Sequence, residues 1–467
     1  MTPDRLRAIL RFGLFALLLL APLPFGSVQG GSVLAIELTA AALGLIAILV
    51  IGRDREAAAA VPKLPLAICG GVIALGVFQV VPLPFAIAAK FNPTADLVRP
   101  LIPYLGLDHP PSVTWSVASP ETTDALLRFT AYVLIGLAAA VSCDTERSHR
   151  RFALVVVTAA VFQAVYGSGE YLTGRQHIFG FAKKWYLDSA TGTLINRNHF
   201  ATLLAIALPF ALTLAIPRRA QTRTQDWRGR LVALSKGTAL VRLFAAAAAA
   251  LIWMGLLLSH SRAGLVAGIV AAVMVVAHFR ATRAARWTAA VGAAVLLALL
   301  TLELAQAPGE RFFRTKDDLG ARAGRPAVWR DAMGLVSARP VLGWGFGTFE
   351  SAFPTVQSAD IDMHYDHAHN DWLEWTTEGG VVALLAGLTL LALALRRGDI
   401  AGRAALVAVA LHGVWDFSLR IPAAAVATAA TMGLAYSAYA ATASRSPSIL
   451  RRTANGPARL ARSHKGD

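Results

Sequence analysis

SVLAIELTAAALGLIAILVI, residues 32–51, decides the fold class: it is a run of 20 residues with one charge, Glu37, and no proline. A helix of that length rises about 30 Å, the thickness of a bilayer's hydrocarbon core. It has no polar face, so it suits lipid or a deep core and not a water-exposed surface. Runs of the same kind recur near 8–25, 63–82, 125–142, 152–171, 198–216, 240–258, 262–279, 287–306, 377–395, 403–418 and 422–441. The expected fold is an all-α polytopic membrane protein of about 12 transmembrane helices. Composition agrees. The 467 residues are 56% hydrophobic and only 15% charged, where a soluble domain carries about a quarter charged residues. Mean hydropathy is +0.54.

The formal charge of +16 would suggest nucleic acid in a soluble chain. Here most Lys and Arg residues lie in alternate loops and in the tail, the pattern of cytoplasmic loops in membrane proteins, so no nucleic-acid partner is expected. Arg5, Arg7 and Arg11, then Arg147, Arg150 and Arg151, then Arg396, Arg397 and Arg403 mark one side. The short connections on the other side hold Arg262 alone and Arg420 alone. Both termini are therefore expected in the cytoplasm, and the long segments near 83–124, 172–197 and 307–376 outside. The first apolar run mimics a secretory signal, but no clear cleavage site follows, so it is read as a retained helix. Neither Cys69 nor Cys143 sits in a C-x-x-C motif, and no disulfide is expected.

Four units follow: helices 1–9 over residues 1–306, a loop domain at 307–376, helices 10–12 over 377–441, and a basic tail at 442–467. The loop is too long for a plain connector. Arg325–Ser337 has helical spacing; Gly343, Gly345 and Gly347 read as a flexible turn; Tyr365–Thr377 reads as a helix entering the membrane.

Four polar patches lie on the outer side: Gly192–Phe200, Ser259–Gly264, Gly324–Gly347 and Asp366–Glu374. Arginine at a membrane boundary can simply snorkel to lipid headgroups. Arg197 and Arg262, however, sit at outer span ends, where the charge bias disfavours them. The planar guanidinium suits phosphate, and two of them can hold a diphosphate. His367, His369 and Asp371 admit three readings: metal ligands, with His364 as a further donor; polar caps of a helix; or a general base oriented by Glu374 or Asp371. Trp372 stands where a metallohydrolase signature would continue with histidine. The two histidines lie two apart, too close in register to share one helical face. A transporter is the rival from another class, but it would carry charged or broken segments at mid-membrane, and these spans are clean.

N-x-N-H at Asn196–His199, S-x-S-R-A-G at Ser259–Gly264, P-x-x-G-x-G-x-G-x-F at Pro340–Phe349 and H-N-x-x-L-E-x-x-x-E-G-G at His369–Gly380 together resemble the O-antigen ligase / O-antigen polymerase family. The resemblance covers roughly residues 190–395. It implies a GT-C-like membrane enzyme with a large, partly helical periplasmic loop, in the bacterial inner membrane. The implied activity is inverting, metal-independent glycosyl transfer without a cofactor. The implied donor is an undecaprenyl-diphosphate-linked glycan. Acceptors in the family are lipid A–core, a growing polysaccharide or a protein. By position, the catalytic residues are His369, Arg262 and Arg197. Asn198, His199, Arg325, Arg330, His367, Asn370 and Glu374 are expected to bind substrate.

Overall fold

The computed structural model describes residues 1–91, 95, 99–104, 112–216, 237–279, 324–359, 361 and 363–437. The span expected at 287–306, the basic loop at 217–236 and the tail lie outside the described residues. The chain is mostly helical: α1 (Pro3–Leu20), α2 (Gly30–Arg53), α3 (Arg55–Ala60), α4 (Lys63–Val80), α5 (Phe85–Phe91), α6 (Ser119–Ser142), α7 (Glu146–Leu172), α8 (Arg197–Ala215), α9 (Gly237–Leu258), α10 (Arg262–His278), α11 (Arg325–Ala338), α12 (Phe349–Ala352), α13 (Asp371–Arg397), α14 (Ile400–His412) and α15 (Pro422–Ala435). The only strands among the described residues are β1 (His177–Ile178) and β2 (Phe181–Ala182), an antiparallel hairpin.

Seven of these helices are long and apolar enough to cross a membrane, and α10, α14 and α15 are shorter apolar helices. This is an all-α, multi-pass membrane protein. Leu34, Leu38, Leu45 and Ile48 on α2 are exposed, as a lipid-facing surface requires. By contrast α8 is buried at every residue from His199 to Ala211, with α7, α9, α10 and α14 packed around it. A helix apolar on all sides belongs in such a centre.

Boundaries differ from the sequence reading where polar and apolar residues mix. The first helix begins at Pro3 and stops at Leu20, because Pro22 and Pro24 lead into a turn over Phe25–Ser27. Helix α14 ends at His412, short of the expected 418. Residues 413–420 form an irregular loop with one 3-10 turn at Ser418–Arg420. Its aromatic residues, Trp415 and Phe417, had extended the apparent span.

Helix α13 begins at Asp371, not Tyr365. Asn370 is its N-cap, its side chain accepting from Leu373 N at 3.1 Å. The helix is broken at Gly380 (φ 65°, ψ −168°), a conformation open to glycine. There the segment after α11 docks on it. Trp344 N donates to Thr377 O and Gly345 N to Glu378 O, both at 2.9 Å, and Val381 N donates to Pro340 O at 2.8 Å. A Cβ on Gly380 would stand 2.1 Å from Val341 O, and one on Gly343 would stand 2.3 Å from Glu378 O. The glycine-rich stretch is thus a fixed strap, not a flexible turn. It interlocks with the E-G-G segment of another motif.

Candidate functional site

One end of the bundle gathers the starts of α8, α10, α11, α13 and α15 and the ends of α9 and α14. Helix α8 is capped by Asn196, which accepts from Asn198 N at 2.8 Å, and α10 by Ser261, which accepts from Gly264 N at 3.2 Å. The first helical residues are then Arg197 and Arg262. The two helices meet so closely that a Cβ on Gly264 would lie 2.4 Å from that of Ala201. The first turns of two helices, each headed by an arginine, therefore lie side by side with their positive ends.

The loop before α8 fills the space between them. Arg197 donates to Ser189 Oγ at 3.1 Å, lies 3.9 Å from Asp188 and stacks over Tyr186 at 5.5 Å. His260 Nδ1 donates to Asp188 O at 2.7 Å. Arg262 is exposed and pairs with no acid among the described residues. Burial pushes the Tyr186 hydroxyl above its ordinary value, and the Asp416 carboxylate adds to this against Arg197 and Arg325. The arginine region thus adjoins the loop after α14.

That loop organises the histidines. Phe417 is ringed by three of them: His367 stacked at 4.1 Å, His369 edge-on at 4.8 Å and His199 edge-on at 4.9 Å. His367 and His369 sit in an irregular segment ahead of α13, with His369 at φ 52°, so helix register does not separate them. Each faces its own carboxylate. His367 Nδ1 donates to Glu374 Oε1 at 2.8 Å, and His369 Nδ1 lies 3.5 Å from Asp416 Oδ1. Both rings remain part-exposed, at 27% and 24%, while Glu374 and Asp416 are at 1% and 0%. Burial alone would lower the His367 imidazole, but Glu374 overrides it and raises it. Burial would raise the Asp416 carboxyl; His369, with His199 and His412, holds it below the usual carboxylate range.

The expected orienting roles are thereby redistributed. Glu374 serves His367 and not His369, and its other oxygen accepts from Ala368 N at 2.9 Å. Asp371 faces neither histidine; its Oδ2 accepts from Leu419 N at 3.3 Å. His199 is buried beneath Phe417 rather than open to a ligand. The oxygen of Asn370 is spent on the helix cap, and Asn198 stands in the first turn of α8. Arg325 joins the loop domain to the site by donating to Trp415 O at 2.7 Å. The Arg330 side chain pairs with Asp331 at 3.0 Å and reaches Ser358 at 3.3 Å, and neither contact touches the histidines.

Sequence reasoning missed Asp416, Phe417 and Arg420. Arg420 Nε lies 3.0 Å from Glu374, and its NH2 group donates to Glu378. The signal was present in part: Arg420 is the lone cation of a short connection expected on the outer side, as Arg262 is of another.

Residues 247–388 match a protein family described as O-antigen ligase. The match takes in the turn that bears Arg262, the strap, and the loop with His367 and His369, and the family likeness read from the motifs is shown over these residues. It stops before Asp416 and Arg420. No curated protein matches the chain.

Proposed function

We propose, starting from that O-antigen ligase match, that the chain is a membrane glycosyltransferase acting at the end of the bundle where the histidines lie. It moves a glycan from an undecaprenyl-diphosphate carrier to an acceptor hydroxyl. The acceptor is lipid A–core or a growing polysaccharide; a protein acceptor is the alternative. The observation that carries the reading is the arginine-headed pair α8 and α10 beside a histidine backed by a buried aspartate.

Arg197 and Arg262, aided by the two helix ends, bind the diphosphate and stabilise the charge that grows on the leaving oxygen. His369 takes the acceptor's proton through Nε2, while Asp416 holds Nδ1 and stabilises the imidazolium. The acceptor oxygen bonds to the anomeric carbon from the face opposite the diphosphate. The bond from that carbon to the phosphate oxygen breaks, and the configuration inverts. The arginines supply the positive charge that a metal ion supplies in many glycosyltransferases, so no metal is required. The positive-inside bias of the basic loops supports a periplasmic site with both termini in the cytoplasm.

The test is turnover of a defined undecaprenyl-diphosphate glycan by purified protein in nanodiscs. His369→Ala should cut turnover by about two to four orders of magnitude, with donor binding nearly unchanged. A fully active His369→Ala protein ends the general-base reading. Deletion in the native host, with electrophoresis of lipopolysaccharide, polysaccharide and glycoprotein, names the acceptor.

A further inference from the structure

Two carboxylates, Glu374 and Glu378, lie one turn apart on α13 and are almost fully buried. Arg420 reaches both: Nε is 3.0 Å from Glu374 Oε1, and the NH2 group donates to Glu378 Oε2. The two carboxylates share that one guanidinium, and a buried carboxylate without a full partner is costly. The other cation within reach is His367, whose Nδ1 donates to the same Glu374 Oε1 at 2.8 Å. Asp366 faces His367 from its own segment, and His199 faces it from α8. The strap fixes the far end of this network, since Glu378 O accepts from Gly345 N at 2.9 Å and from Gln79 Nε2 at 3.1 Å.

We infer that Glu374 keeps His367 as an imidazolium whose Nε2–H edge binds the donor's diphosphate, and that Arg420 is a positioning residue that holds Glu374 in place. The ligand half of the inference rests on the function proposed above. It gives the two histidines separate work. His369, on Asp416, accepts a proton; His367, on Glu374, stays charged and donates a hydrogen bond. The raised value of His367 agrees, because Glu374 outweighs both its burial and the opposing charge of Arg420.

The experiment measures binding of undecaprenyl diphosphate to the full chain in nanodiscs across pH. Wild-type affinity should fall as pH rises through the raised His367 value. His367→Gln should lose about ten-fold at neutral pH, the size of one charge-assisted hydrogen bond, and should lack that alkaline limb. Glu374→Gln should move the limb to lower pH, and Arg420→Gln should move it to higher pH. General loosening of the site cannot produce shifts of opposite sign. Arg420→Lys keeps the charge and should leave the limb in place, which covers the case that Arg420→Gln does not fold. The inference is overturned if His367→Gln binds as tightly as wild type, or if Glu374→Gln and the Arg420 variant shift the limb in the same direction. A wild-type protein that does not bind the diphosphate refutes the proposed donor instead. The charge on His367 is then read by a nitrogen-15 NMR titration, and a value at or below that of free imidazole overturns this part too.

Discussion

Asp416→Asn isolates what a buried carboxylate does for a part-exposed histidine. Asp416 has a fully buried side chain, 3.5 Å from His369 Nδ1, and its Oδ1 also accepts from Phe417 N at 3.0 Å. Asparagine keeps the shape and, through its own oxygen, the bond to Phe417. It removes the negative charge that favours imidazolium. At 3.5 Å and an effective dielectric constant of about 20, that attraction is about 5 kcal/mol, or between three and four orders of magnitude in rate. This is a ceiling, since the full imidazolium forms only late in proton transfer. Turnover should therefore fall by about 10² to 10⁴, the range that a general base contributes. The assay is turnover of a lipid-linked donor in nanodiscs, beside a thermal unfolding scan and a donor-binding measurement. Donor binding should be close to wild type, because Arg197 and Arg262 are untouched, while the unfolding midpoint at neutral pH should fall by what the Asp416 charge contributes. Activity within a few-fold of wild type in a folded Asp416→Asn protein would refute the reasoning, and with it the pairing of His369 to Asp416.

If the arginines bind a diphosphate through the guanidinium fork, Arg262→Lys should lose most donor affinity while inserting normally, and Arg197→Lys should follow; a fully binding Arg262→Lys protein would make that residue an interfacial anchor. Purified protein should keep full turnover in EDTA, whereas loss on chelation that zinc or magnesium restores would revive the metal reading of the histidine segment. Because the folded Asp416 carboxyl is held below its unfolded value, its contribution to stability is present above the ordinary carboxylate range. It is lost as pH falls through the folded value, so unfolding scans should show wild type losing more than Asp416→Asn on acidification. Gly380→Ala should destabilise the strap by about 1–3 kcal/mol through its backbone conformation alone, with the Val341 contact adding to that; an unchanged midpoint would mean that the strap is not rigidly docked.

The sequence disclosed what depends on local composition. Each apolar run is its own evidence for a span, and Arg197 and Arg262 stood out because cations are scarce on that side. Long-range pairing was invisible. Gly343, Gly345 and Gly347 look like a hinge until Thr377 and Glu378 supply their carbonyls, and neither stretch announces the other. A helix over Tyr365–Thr377 would set His367 and His369 on different faces, whereas the segment ahead of Asp371 is irregular and both rings lean on Phe417. Phe417 itself was hidden because an aromatic residue after an apolar run reads as more span. Its burial against three imidazoles gives the two histidine–carboxylate pairs a common wall. His369 with Asp416 and His367 with Glu374 lie on that wall, and Asp416 and Arg420 belong to the same short loop, between α14 and α15. One loop therefore sets the electrostatics of both histidines, so a backbone shift at Gly413 or Ser418 should alter proton acceptance and anion binding together. Substitutions of Asp416 and Arg420 should alter them one at a time.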